Sequence, residues 1–383
     1  MKKNKKRMNR QFLAVALLLL FFSACKKDKK EPPQETPPAV AAVQTRVYYI
    51  AAEEQVWDYA PLGRNEFMGM PFDGTDSVYA VNLPNGPTPR IGRKNIKARY
   101  VEYTDTTFTT KKAILPEWEH LGVLGPVIRA NVGDSVVIYF KNKTTIDASI
   151  HVHGLLYDVN SEGSVYNNNA KGGASIAPGE KYRYKYFARE ESGPGASQGS
   201  SVSWLYHSHV AMDESDVYAG LIGALIVTKR GMGDDNAKPK DINREFVTLF
   251  MVMNENTSAY LQKNIDTYCP GFKNPNPDDF DESNKKHTVN GMFLGNLPGL
   301  VMNKGEKVRW HVIALGNEVD LHTPHWHGNT VSINGTNTDV LELLPAGMLT
   351  ADMTADNPGT WAFHCHVTDH MMAGMTALYK VNK

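Results

Sequence analysis

The sequence predicts an all-β protein built as two Greek-key β-sandwiches, and three observations carry that prediction. Period-two or β-branched runs bounded by Gly, Pro, Asn and Asp recur along the chain, no segment shows a long helical period, and the second half repeats the landmarks of the first. The runs are Val47–Ala51, Ser135–Phe140, Tyr182–Phe187, Leu221–Val227, Phe246–Val252, Val308–Ile313 and Thr376–Val381. In the repeat, Gly125-Pro126-Val127-Ile128, Gly133-Asp134-Ser135-Val136 and His151-Val152-His153-Gly154 are echoed by Pro298-Gly299-Leu300-Val301, Gly305-Glu306-Lys307-Val308 and His325-Trp326-His327-Gly328. Trp204 to His209 with Ala219-Gly220-Leu221 is echoed by Trp361 to His366 with Ala373-Gly374-Met375. The copies are placed at 46–235 and 240–383, joined near 230–243.

Taken from the start, the chain opens with basic residues from Lys2 to Arg10, an apolar run from Phe12 to Phe22, and Phe21-Phe22-Ser23-Ala24-Cys25. Residues 1–25 therefore read as an export signal ending at a bacterial lipobox, with Cys25 the acylated residue. The apolar run is short for a membrane span, so the expected membrane association is through the lipid anchor only. Lys26 after the cysteine carries no aspartate retention signal, which by resemblance to enterobacterial lipoprotein sorting implies an outer-membrane lipoprotein facing the periplasm. Residues 26–45, charged and carrying Pro32, Pro33, Pro37 and Pro38, form a tether with little to bury. A formal net charge of zero and 42% hydrophobic residues indicate an ordinary globular protein and give no reason to expect a nucleic acid partner. Of three cysteines, Cys25 is assigned to lipid and Cys365 to metal, so Cys269 has no partner and no disulfide is expected.

Function is carried by the histidines. Ten of the 13 fall into four clusters: His151/His153, His207/His209, His322/His325/His327 and His364/His366/His370. Alternate residues of a strand share a face, so each His-x-His pair can aim two imidazoles into one cavity. The last cluster surrounds Cys365 and is followed by Met375. Two His nitrogens, one thiolate and a weak axial Met suit a copper ion that changes redox state. A single His-x-His pair is more often a core or surface feature, but four in repeat-related positions with a Cys and Met are not. In the first copy the places of His322, Cys365 and Met375 are taken by Ala148, Ser208 and Leu221, so only the second copy holds the mixed sulfur and nitrogen set. His120 and His311 lack such support and read as structural.

With these residues the chain resembles the multicopper oxidases, in particular two-domain members of the ceruloplasmin-like and small-laccase-like kind. The resemblance covers everything after the tether and implies two cupredoxin-like domains. It further implies a type 1 copper on His322, Cys365, His370 and Met375, and a type 2 copper on His151 and His325. A type 3 pair would lie on His153, His207, His209, His327, His364 and His366, giving four coppers per functional unit. Because each copy supplies four of the eight trinuclear ligands, the cluster must lie where a first sandwich meets a second one. A chain with two sandwiches can repeat that contact head to tail and close a ring, which the resemblance makes a homotrimer. Cys365 between His364 and His366 offers a covalent electron route between the two kinds of site. Tyr157 and Glu162, just past the first cluster, are expected as auxiliary electron or proton donors.

The implied reaction is one-electron oxidation of a reducing substrate coupled to four-electron reduction of dioxygen to water. The acidic stretch Asp278 to His287 contains Glu282-Ser283-Asn284 and His287, and Asp369 precedes His370. By the resemblance, Glu282, His287 and Asp369 hold a reducing metal ion such as Fe(II), although a further acidic ligand of the family site is not identifiable. The alternatives are a laccase-type phenol oxidase or cuprous oxidase, and a non-enzymatic copper-buffering lipoprotein, which would need no electron route. A nitrite-reductase-like arrangement would place the type 1 site in the first copy, the reverse of this pattern.

Overall fold

The computed structural model describes residues 43–383 except Gly86, residues 167–171 and Pro275. The export signal, Cys25 and all but the last residues of the tether lie outside the described residues. Every run expected as a strand lies in one, except that Leu221 falls just before the strand Ile222–Thr228, and the strands assemble into four sheets. One has the order Lys94–Glu102, Thr45–Asp58, Ser135–Lys143, Lys181–Phe187; it faces a second with the order Ile128–Asn131, Ile222–Thr228, Ser201–His207, His151–Val152. Ile50, Tyr100, Ile138, Phe140, Leu225 and Val227 fill the space between them.

The second pair repeats the plan. A six-stranded sheet contains Arg244–Asn254, Lys307–Ala314 and Met348–Thr354, and a four-stranded sheet has the order Val301–Asn303, Thr376–Asn382, Gly359–Cys365, Pro324–Trp326. Trp310, Trp326, Phe250, Phe363 and Tyr379 pack between them, with Cys365 and Met375 in the same core.

A third core joins the two sandwiches and explains why two strands read as unbroken apolar runs. Along Ile222–Thr228, Leu225 and Val227 face the first core while Ile222, Ala224 and Ile226 face the junction. Along Arg244–Asn254, Phe246, Phe250 and Val252 face the second core while Val247, Leu249, Met251 and Met253 face the junction. Strands buried on both faces lose the polar half of the period-two pattern. The four sheets thus stack in sequence, with the two inner ones in contact.

Polar bridges fix the junction. Glu245 accepts from Arg129 at 2.6 Å and from His311 Nε2 at 3.0 Å, and Arg309 donates to Ser200 and Ser201 at 2.7 and 2.9 Å. His120 Nε2 accepts the Val247 N–H at 3.0 Å, and burial pushes its pKa down to about 3, so it is a neutral acceptor within the junction. Segments outside the strands also cross. Tyr260 packs in the first core although it follows the second half's first strand, and the helix Gly74–Ala80 reaches residues of the second half. The acidic stretch is ordered: Pro277–Ser283 is a helix and Lys285–Val289 a strand. Among the described residues no helix is long and apolar enough to cross a membrane.

Candidate metal centres

In the second sandwich Cys365 ends the strand Gly359–Cys365, with Pro324 opposite it on the neighbouring strand. The Cys365 N–H donates to the Met375 carbonyl at 3.1 Å, which brings buried Met375 beside it. Cys365 Sγ lies 3.6 Å from His370 Nδ1 and 3.9 Å from His322 Nδ1, and the two Nδ1 atoms are 3.2 Å apart. His322 is oriented by Asp320, which is fully buried and accepts its Nε2–H at 3.1 Å. That bond fixes the ring orientation and turns Nδ1 toward the sulfur. Burial pushes the Cys365 thiol up, but hydrogen bonds from His322 and His370 outweigh it and bring its pKa down to about 6. Burial lowers the His322 pKa, while Asp320 and Cys365 more than compensate and raise it. A preformed thiolate with two imidazole nitrogens and a buried thioether nearby fits a soft, redox-active metal.

The corresponding place in the first sandwich keeps the backbone and loses the donors. Ser208 N–H donates to Leu221 O at 3.0 Å as Cys365 does to Met375, and Ala148 N–H donates to Ile176 O at 3.1 Å as His322 N–H does to Leu343 O at 2.9 Å.

The remaining eight clustered histidines form two groups, one per sandwich. His153 and His207 face each other with 3.2 Å between Nε2 atoms, and His327 and His364 with 3.0 Å. The Nδ1 atoms of His207 and His364 each donate at 2.8 Å to the carbonyl of the next residue, Ser208 and Cys365, so the paired Nε2 atoms carry the lone pairs. His151 Nδ1 donates to the Glu162 carbonyl at 2.6 Å. The His209 ring lies 5.3 Å from that of His151, and the His366 ring 5.3 Å from that of His325. Burial lowers the pKa of His151, of His153 to about 4, of His207 to about 3, and of His325 and His364. Neutral imidazole is the metal-binding form. The glycine after each leading pair is structural: Gly154 (φ 78°) and Gly328 (φ 73°) lie against Trp204 and Trp361, where a Cβ would come within 2.2 and 2.5 Å of the indole.

The two groups stay apart within the chain. Each is complete only to one side: His151, His153 and His207 converge, as do His325, His327 and His364, and the two sets are separate. They lie on the first half's inner sheet and the second half's outer sheet, with the six-stranded sheet between. His327 and His366 are exposed.

Tyr157 meets the His151 ring edge-on at 5.9 Å, and both line a recess together with His153 and Arg189. The Glu162 carboxylate accepts the Tyr166 hydroxyl at 2.9 Å, so its backbone rather than its acid group touches His151. His287 is buried, with its ring 5.2 Å from that of His370. Asp369 is exposed in the first turn of the helix Thr368–Met372. Glu282 accepts the Tyr79 hydroxyl at 2.8 Å and Lys285 at 3.4 Å. Glu282, His287 and Asp369 therefore surround one region but do not close on a common point. Sequence reasoning missed Asp320 and Tyr79. Asp320 precedes His322 by only two residues but outside any strand, so its proximity in sequence is the one signal that could have flagged it; Tyr79 gives no local signal.

Known proteins account for this arrangement. The multicopper oxidase family matches residues 120–231 and 270–383, together more than half of the chain. The chain is 39% identical over 345 residues to human Ferroxidase HEPHL1, covering 88% of this chain and 29% of that protein. It is 41% identical to mouse Hephaestin (88% and 29%) and 40% identical to human Ceruloplasmin (88% and 30%). It spans less than a third of the length of these relatives. A crystal structure of a multicopper oxidase shares the fold, with a TM-score of 0.53, 19% identity and coverage of 88% of this chain and 89% of that one. Two sandwiches that repeat one plan, each with paired imidazoles and one with a buried thiolate, agree with both matched segments: the chain belongs to the multicopper oxidase family, among relatives of ceruloplasmin and hephaestin.

Proposed function

We propose that this chain is a copper-dependent oxidase that couples one-electron oxidation of a small reductant to four-electron reduction of dioxygen to water. The observation that carries the reading is the position of Cys365. It lies in the Cys365, His322 and His370 group, and peptide bonds join it directly to His364 and His366 of the neighbouring imidazole group. A storage protein has no use for that linkage. His322, Cys365, His370 and Met375 would hold a type 1 copper, His151 and His325 a type 2 copper, and His153, His207, His209, His327, His364 and His366 a type 3 pair. Bound copper would supply the one-electron steps and the oxygen chemistry. The residues supply neutral imidazoles, a low-pKa thiol and buried acceptors that fix ring orientation.

A homotrimer closed head to tail is the assembly we propose, because each half-set of imidazoles lies in a different sandwich and the pair do not meet within one chain. Anchorage to the bacterial outer membrane through Cys25, facing the periplasm, rests on the sequence alone. The preferred reductant is Fe(II), supported by the likeness to Ferroxidase HEPHL1 and by Glu282, His287 and Asp369 around buried His370. Carboxylates favour Fe(III) over Fe(II) and so ease electron loss. Laccase-type phenol oxidation and cuprous oxidation are the competing reactions.

Oxygen uptake by the copper-loaded protein with Fe(II), Cu(I) and a phenol decides among them, with Fe(II) expected to give the highest kcat/KM. The oxidised protein should be blue, and Cys365→Ser should lose the colour and the oxidase activity while retaining most copper. A copper-loaded wild type that is colourless when oxidised would overturn the assignment.

A further inference from the structure

We infer that Tyr79, contributed by the first half of the chain, closes the electron-entry port over His287 and His370 to organic reductants and presets Glu282 for a metal ion; the substrate half of this inference rests on the Fe(II) reading above. Three exposures decide the first point: His370 is 6% exposed, His287 8% and Tyr79 9%. Electron transfer from a bulky phenol is fastest when its ring can approach a metal-bound imidazole closely, and neither imidazole offers a face. Tyr79 stands edge-on to His287 at 5.9 Å between ring centres, and His287 stands 5.2 Å from His370. The three rings thus form one contiguous file leading to Cys365.

Tyr79 is held at both ends, which separates it from an incidental surface contact. Its hydroxyl donates to Glu282 Oε1 at 2.8 Å. Its carbonyl accepts from Lys286 Nζ at 2.8 Å, and the same ammonium donates to the Ser283 carbonyl at 2.5 Å. Lys286 is fully buried and directly precedes His287. The strand that carries His287 therefore clamps the short helix Gly74–Ala80 that carries Tyr79. Burial raises the Tyr79 pKa, and Glu282 and Asp369 raise it further, so its ring lies within the field of both carboxylates. A small cation can approach those carboxylates from solvent, since Glu282 is half-buried and Asp369 exposed, whereas the buried Tyr79 ring stands against His287 and bars an aromatic substrate from it.

Two substitutions separate the roles. Tyr79→Ala removes the ring, and carbethoxylation of His287 in the copper-free protein, followed by peptide mass spectrometry, should accelerate about tenfold. With copper bound, kcat/KM for 2,6-dimethoxyphenol should rise about as much, the equivalent of one lost contact of ordinary strength. Tyr79→Phe keeps the ring and removes the bond to Glu282, so His287 should stay protected while KM for Fe(II) rises by roughly tenfold, the worth of a hydrogen bond to a charged group. A retained blue band and an unchanged melting temperature establish that each variant is folded. Unchanged His287 modification in Tyr79→Ala would overturn the shield, and an unchanged KM for Fe(II) in Tyr79→Phe would overturn the role of the hydroxyl. If wild-type protein does not oxidise Fe(II), the substrate reading fails, while His287 protection still tests the shield independently.

Discussion

Replacing Asp320 by alanine should destabilise the copper-free protein by about 4 kcal/mol. The carboxylate is fully buried and accepts three hydrogen bonds: from Val252 N–H at 2.7 Å, Asn317 N–H at 3.0 Å and His322 Nε2–H at 3.1 Å. Removing it leaves three buried donors without their acceptor, each at a cost of about 1–3 kcal/mol, partly offset by local relaxation. Breaking a buried polar constellation from one side costs about 3–5 kcal/mol, which sets the same scale. At roughly 1.5 °C per kcal/mol for a unit of this size, the melting temperature of the copper-free protein should fall by about 6 °C in calorimetry. The loss should have a second signature, because His322 is no longer held with Nδ1 toward Cys365. Affinity at that site should drop about 10- to 100-fold, read by competition with a copper chelator. Asp320→Asn keeps the shape and one acceptor oxygen and should fall between wild type and alanine on both measures. A copper-free alanine variant within about 1 kcal/mol of wild type would refute the argument that this carboxylate carries those three donors.

Three further outcomes follow from the geometry. In copper-free Cys269→Ser protein lacking residues 1–45, thiolate absorbance should titrate near pH 6 and not near the usual thiol value, since His322 and His370 hold Cys365 down. A thiol depressed in the folded state adds stability that is present above its unfolded pKa and lost as pH falls through about 6; a midpoint at or above the unperturbed value of about 8.5 would contradict it. Glu282→Ala with Asp369→Ala should raise KM for Fe(II) several-fold and lower its turnover, with phenol oxidation unchanged or improved; equal losses on both substrates would mean these residues tune the Cys365 site itself. The protein lacking residues 1–45 should sediment as a homotrimer without detergent, and an active, fully copper-loaded monomer would exclude a cluster shared between chains.

The sequence disclosed those features that depend on local pattern. Strands such as Ser135–Lys143 were legible because alternate residues are buried, and the paired histidines because a strand turns alternate side chains to one side. Ile222–Thr228 and Arg244–Asn254 were legible as strands but not as the junction, because a run apolar on both faces does not say what covers each face. The helix Pro277–Ser283 carried its own signals, Pro277 at the start with Asp278 and Asp279 in the first turn, beneath an acidic character that reads as surface. Contacts between residues some 200 apart, such as Tyr79 with Glu282, leave no periodic trace and needed coordinates.

The two halves show what duplication preserved and what it released. Backbone hydrogen bonds repeat across the copies, from Ser208 and Leu221 to Cys365 and Met375, and so do the glycine seats under Trp204 and Trp361. These depend on main-chain register, which a side-chain change leaves intact. Ala148, Ser208 and Leu221 occupy the first copy's version of the sulfur and nitrogen site with small or apolar groups that need no metal to be stable in a core. In the second copy, His322 in that setting requires Asp320, and Cys365 requires two imidazoles, before either can be buried without a large penalty. The metal-binding groups are therefore stabilised as a polar network in the protein itself, and a ligand set held in place by such a network can receive a metal without rebuilding the sandwich around it.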